Sequence, residues 1–65
     1  MYTVVWTNTE SNVVSRVKLS TLASAELLYD NLYGDTILWV ELYDNEGLKK
    51  RKRAIRAGEF ENIKV

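Results

Sequence analysis

The sequence predicts a small α+β fold of ββαββ order, an antiparallel sheet with one helix packed on one of its faces. Three observations carry that expectation. β-Branched and aromatic residues concentrate in short runs at 2–7, 13–19 and 36–43. One stretch between them, 21–33, repeats apolar residues at helical spacing. The connecting segments are polar or contain glycine, and the chain has no proline.

Residues 2–7, Tyr-Thr-Val-Val-Trp-Thr, have the composition of a strand. The polar run 8–12 is a turn, and 13–19 alternates Val13, Val17 and Leu19 against Val14, Arg16 and Lys18, which makes the two runs an antiparallel hairpin. Ser20 or Thr21 can cap a helix, because a hydroxyl there accepts an otherwise unpaired backbone N–H. Leu22, Ala25, Leu28, Tyr29 and Leu32 then fall on one helical face, and Gly34 is expected to end the helix in a left-handed conformation. Residues 36–43 are almost continuously apolar, which suits a central strand covered on both faces. Asp44-Asn45-Glu46-Gly47 is a turn with glycine where a positive φ is needed. Residues 48–55 follow as a fourth strand whose cations suit an exposed edge. A helix over 48–57 is the alternative, since Lys, Arg, Ala and Leu are good helix formers. Residues 1–57 thus read as one domain, and 58–65 as a loosely held tail that Phe60 and Ile63 could dock.

Composition narrows the function classes. The chain has 65 residues, 46% of them apolar and 28% charged, as in a folded globular chain. It has no Cys and no His, which removes disulfides, Cys/His zinc sites, and Ser-His or Cys-His catalytic pairs. A core this small rarely supplies more than about 3–5 kcal/mol, so self-association is an economical route to stability. No apolar run approaches the roughly 18–20 residues of a membrane span. The N-terminus lacks the basic region and cleavage site of a signal peptide. The expected setting is the cytoplasm.

The zero net charge hides an asymmetry. Residues 1–47 hold two cations against seven acids, a balance of −5, and residues 48–65 hold seven cations against two acids, a balance of +5. Lys49, Lys50, Arg51, Lys52, Arg53 and Arg56 form the basic run, which could contact nucleic acid or an acidic protein surface. The acidic body would repel phosphate, and a basic edge strand also serves solubility.

Alternation along 36–43 divides the central strand into two faces. Leu38, Val40 and Leu42 are assigned to the helix side, and Ile37, Trp39 and Tyr43 to the far side, joined there by Tyr2 and Trp6. The parity of the first strand is left open by the sequence. Tyr2, Trp6, Trp39 and Tyr43 are therefore the candidate partner or dimer interface, because Trp and Tyr are enriched at binding hot spots. The bland alternative has the tail fold across this face through Phe60 and Ile63.

The residues Val40, Glu41, Leu42, Tyr43, Asp44 and Gly47, after a strand-turn-strand-helix segment, carry a resemblance in pattern over residues 1–53. The layout resembles short uncharacterised accessory proteins of bacteriophages and mobile elements. That resemblance implies a small protein that acts by binding, such as an inhibitor of a host or defence factor, in the host cytoplasm. It transfers no site residue.

Other candidate chemistry is thin. Glu41, Asp44 and Glu46 cluster at a turn, without the cleft that acid/base work needs. Asp44-Asn45-Glu46-Gly47 lacks the rest of a calcium loop. Gly34, Gly47 and Gly58 are isolated, so no phosphate loop exists. The expectation is a non-catalytic interaction protein without cofactor or metal, homodimeric and binding a protein partner. The alternative is a nucleic-acid-binding protein using the basic run 49–56.

Overall fold

A computed structural model of the chain describes residues 1–10 and 13–64. Ser11 and Asn12 of the expected turn, and Val65 of the expected tail, lie outside the described residues. The elements are β1 (Tyr2–Asn8), β2 (Val14–Leu19), α1 (Leu22–Asn31), β3 (Ile37–Asp44), β4 (Gly47–Arg56) and β5 (Glu59–Ile63). The strands form one sheet in the order β2-β1-β3-β4-β5, with every neighbouring pair antiparallel. This is the expected small α+β architecture, with β3 at its centre.

Helix α1 starts at Thr21, whose hydroxyl accepts from the Ser24 N–H at 3.1 Å. It ends earlier than the sequence suggests. Leu32 is the C-cap in an extended conformation, and its N–H donates to the Leu28 and Tyr29 carbonyls. Gly34 does adopt a positive φ of 121°, but beyond the cap, where it shapes the approach to β3 and not the helix end. The β3–β4 turn follows its reading: the Asp44 carboxylate accepts from the N–H groups of Glu46 (2.7 Å) and Gly47 (3.1 Å), and Gly47 has φ 127°. Residues 47–56 form a strand, not the alternative helix.

The tail departs from expectation. Residues 59–63 pair with β4 as a fifth strand, turning at Gly58 (φ 77°), so the basic β4 is an inner strand. Neither Phe60 nor Ile63 crosses the far face as a lid; both sit in the edge strand.

The core lies between α1 and the sheet. Val4, Val40, Leu42, Ala25 and Tyr29 are buried, with Tyr2, Trp6, Leu19, Leu28, Leu32 and Ile37 packed around them. Opposed residues of antiparallel strands share a face. Val4 opposes Leu42 and Trp6 opposes Val40, so the Tyr2, Val4, Trp6 parity of β1 faces the helix. A bulge corrects the other assignment. Thr7 pairs with Trp39 and Asn8 with Ile37, so Leu38 is the extra residue. An extra residue inverts the alternation beyond it. Ile37 accordingly packs on the core, whereas Leu38 is 38% exposed.

Candidate interaction surface

The helix rests on β1, β2 and β3 and leaves the opposite face of the sheet uncovered by any element among the described residues. Register decides which side chains stand there. Trp39, Glu41 and Tyr43 of β3 oppose Thr7, Val5 and Thr3 of β1, while Arg53 and Arg51 of β4 oppose Trp39 and Glu41. Beyond β1, the same face receives Val14, Arg16 and Lys18 of β2. Beyond β4, it receives Glu61 and Ile63 of β5. Val5 and Thr7 are each only 6% exposed although no helix lies over them, so the surrounding side chains close over the middle of this face.

Its charges are mostly matched in place. Glu41 accepts from the Tyr43 hydroxyl at 2.9 Å, and its other oxygen lies 3.4 Å from Arg51 Nε. That Arg51 nitrogen is buried and makes no well-aligned hydrogen bond, so the contact is a Coulombic pairing. Arg53 donates twice to one Glu61 oxygen, at 3.0 and 3.2 Å, and Arg56 pairs with Glu59 at 2.7 Å. The hydrogen bond to Glu41 pushes the Tyr43 pKa up, helped by burial and by the Glu41 charge. By register this face carries Arg16, Lys18, Arg51, Arg53 and Arg56 against Glu41, Glu59 and Glu61, a balance of +2.

Strand alternation divides the basic run, which therefore is not one patch. Arg51 and Arg53 stand on the open face, while Lys50 and Lys52 stand on the helix side, opposite Leu42 and Val40. Lys49 is the extra residue of a bulge between the Lys50–Leu42 and Leu48–Tyr43 pairings. Lys52 is nearly buried: its Nζ donates to the Tyr29 carbonyl at 2.9 Å and lies 4.7 Å from the Tyr29 ring centre and 5.2 Å from that of Phe60. Lys50 Nζ lies 4.7 Å from the same Tyr29 ring. A cation on a carbonyl of the last helical turn is favoured by the helix dipole, and the rings add cation–π attraction. Burial lowers the Lys52 pKa; Asp30 opposes the fall and Lys50 adds to it. Burial, then the Asp30 charge, raises the Tyr29 pKa, and the Tyr29 hydroxyl is buried with no hydrogen-bond partner.

Of the four aromatic interface candidates, Trp39 and Tyr43 share the open face. Tyr2 and Trp6 belong to the helix side, because β1 pairs with β3 in the register that puts Trp6 beside Val40. Sequence reasoning missed Arg16 and Lys18 as neighbours of the aromatic face. Their shared parity in β2 was visible, but the face it joins follows only from the β1–β2 register. The buried role of Lys52 was signalled only by its even spacing from Lys50 within a strand.

The described residues enclose no pocket and no group of three or more His, Cys, Asp or Glu placed to hold a metal. No described helix is long and apolar enough to cross a membrane. No family model, curated protein or solved structure matches the chain.

Proposed function

We propose that this is a non-catalytic interaction protein that binds a protein partner through the open face of its sheet, in the manner of a phage-type inhibitor or accessory factor acting in a cytoplasm. One observation carries the reading: Trp39 and Tyr43 stand part-exposed on the uncovered face, amid charges already held in place by Glu41 and Glu61. Rigid aromatics ringed by ordered polar groups have the make-up of a binding hot spot. The balance of +2 selects an acidic protein surface and opposes stacking two copies of this face on each other.

The alternative, nucleic acid, draws on the same face because Trp39 and Tyr43 stand beside Arg51 and Arg53, a stacking platform with cations. The ion pairs weigh against it. Arg51, Arg53 and Arg56 are engaged by glutamates and Lys52 is nearly buried, so few cations of the run are free to neutralise phosphate.

The test uses Trp39→Ala and, as a control on the helix's outer side, Leu27→Ala, which alters an exposed residue. Partners captured from a host lysate by the parent protein should be lost with Trp39→Ala and retained with Leu27→Ala, with both variants folded by circular dichroism. Equal loss, or no loss, with the two variants refutes the open-face assignment. Titration with a labelled single-stranded DNA and RNA across a salt series decides the alternative. Tight binding that weakens steeply with salt would replace the protein-partner reading.

A further inference from the structure

Of the cations on the open face, Arg51 is answered by Glu41, Arg53 by Glu61 and Arg56 by Glu59. Arg16 and Lys18 of β2 are exposed and make no ion pair with a described residue. The balance of +2 on this face is therefore these two side chains. Glu41 lies one strand beyond Val5, which Arg16 opposes, but both its oxygens are engaged. One accepts from the Tyr43 hydroxyl and the other faces Arg51. We propose that Arg16 and Lys18 choose the partner by receiving two of its carboxylates, which sets the acidic end of the partner over β2 and its apolar contact over Trp39. Their role rests on the open face being the binding surface.

Cations on an edge strand also discourage pairing with other chains. Arg16 does more than guard the edge, because its charge is felt two strands away. It opposes the rise in the Tyr43 pKa that the hydrogen bond to Glu41 causes. The other side of the sheet has no matching excess: Glu26 and Asp30 of α1 stand there against Lys50 and Lys52. An acidic partner is therefore drawn to the open face before contact.

The geometry narrows the partner further. Alternate residues of a strand are about 7 Å apart on one face, so Arg16 and Lys18 match two acidic residues at alternate positions of an extended segment. Trp39 lies two strand spacings across from Arg16 and two residues along, about 12 Å away. The partner thus presents an apolar side chain at about that distance from its carboxylates. Two free cations suit a pair of carboxylates better than a phosphate backbone, whose binders neutralise many charges at once.

The probe is a fluorescein-labelled peptide of alternating glutamate and serine, followed by anisotropy at about 10 mM salt, where the Debye length is about 30 Å. The parent should bind it, and Arg16→Gln with Lys18→Gln should weaken binding at least roughly tenfold. Lys49→Gln with Lys50→Gln removes the same charge from β4 and should change binding by less than about twofold. Both double variants should keep the parent circular dichroism spectrum. No binding by the parent, or equal weakening by the two double variants, overturns the assignment. Tighter binding of a thymidine oligonucleotide of equal charge through Arg16 and Lys18 overturns the carboxylate in favour of phosphate. A captured partner lost with Trp39→Ala and kept with the Arg16→Gln, Lys18→Gln variant leaves the open face standing and removes the role of β2. A partner that survives Trp39→Ala, while the peptide still follows Arg16 and Lys18, does the reverse.

Discussion

On the helix side of β3, Val40 and Leu42 are fully excluded from water; on its other side, Trp39 and Tyr43 of the same strand stay part-exposed among ion pairs. One strand therefore feeds two surfaces of different chemistry, and adjacent residues have separable roles. The helix side holds aliphatic groups whose removal leaves a void that close packing cannot refill. The open side holds rings and charges that can relax into solvent when a neighbour is lost. Stability should concentrate on the first surface and recognition on the second.

The sharpest way to break that division is Leu42→Ala. Loss of a fully buried leucine costs about 2–5 kcal/mol, comparable to all that a core this small supplies. Urea unfolding should show the variant largely unfolded, whereas Trp39→Ala on the next parity should remain folded. Equal loss of stability in the two variants would make the open face part of the core.

Lys52 tests the half of the helix side that α1 leaves to β4. Because burial lowers its pKa below the ordinary 10.5, the folded chain releases this proton before the unfolded chain does. Between the folded value and 10.5 the unfolded state binds more protons, so the stability contributed by Lys52 rises with pH across that window. Tyr29 and Tyr43 act in the opposite sense, since a pKa raised above 10.0 makes the folded chain hold a proton that the unfolded chain has lost. Their contribution falls as pH rises through 10.0 and beyond. Lys52→Met keeps the length of the side chain without the charge, so its stability at neutral pH should stay within about 1.5 kcal/mol of the parent. Urea midpoints over an alkaline series should show the Lys52 rise in the parent and not in the variant. Parallel curves would mean that Lys52 titrates as it would in water.

The smallest expected effect is on the open face. Glu41→Gln removes the carboxylate that holds Tyr43 and Arg51. The Arg51 side chain is 42% exposed, so stability should change by less than about 1 kcal/mol. The Tyr43 pKa should fall back toward 10.0, read as an absorbance titration of the phenol. A loss of stability as large as that of Leu42→Ala would show that the charge network is structural.

Much of this was legible in the chain. The three long β-branched runs, the Thr21 cap and the glycine turn at 47 act through neighbours a few residues away, so their elements follow from local propensity. The pairing of Trp39 with Tyr43 on one face needed only alternation within β3. The placing of Tyr2 and Trp6 failed because parity within β1 says nothing about which side the helix takes. Leu38 and Ile37 exchanged their expected environments because a bulge is one residue of register, invisible to a period-two pattern. Residues 59–63 read as a tail because Glu-Phe-Glu-Asn-Ile has little strand signal of its own; pairing with β4 supplies it, and Arg53 and Arg56 meet Glu61 and Glu59 there.

The sequence by itself determined the order of the first four strands and the helix, the absence of thiol and imidazole chemistry, and the presence of aromatics in excess of what one helix can cover. Those properties are composition and short-range geometry. Only the tertiary structure decided which aromatics share a surface, that the basic run is divided between two faces, and that Lys52 is drawn under the helix end. Each of those depends on register between strands far apart in sequence, where one residue of slip inverts every side chain and neighbouring glutamates turn a row of cations into ion pairs.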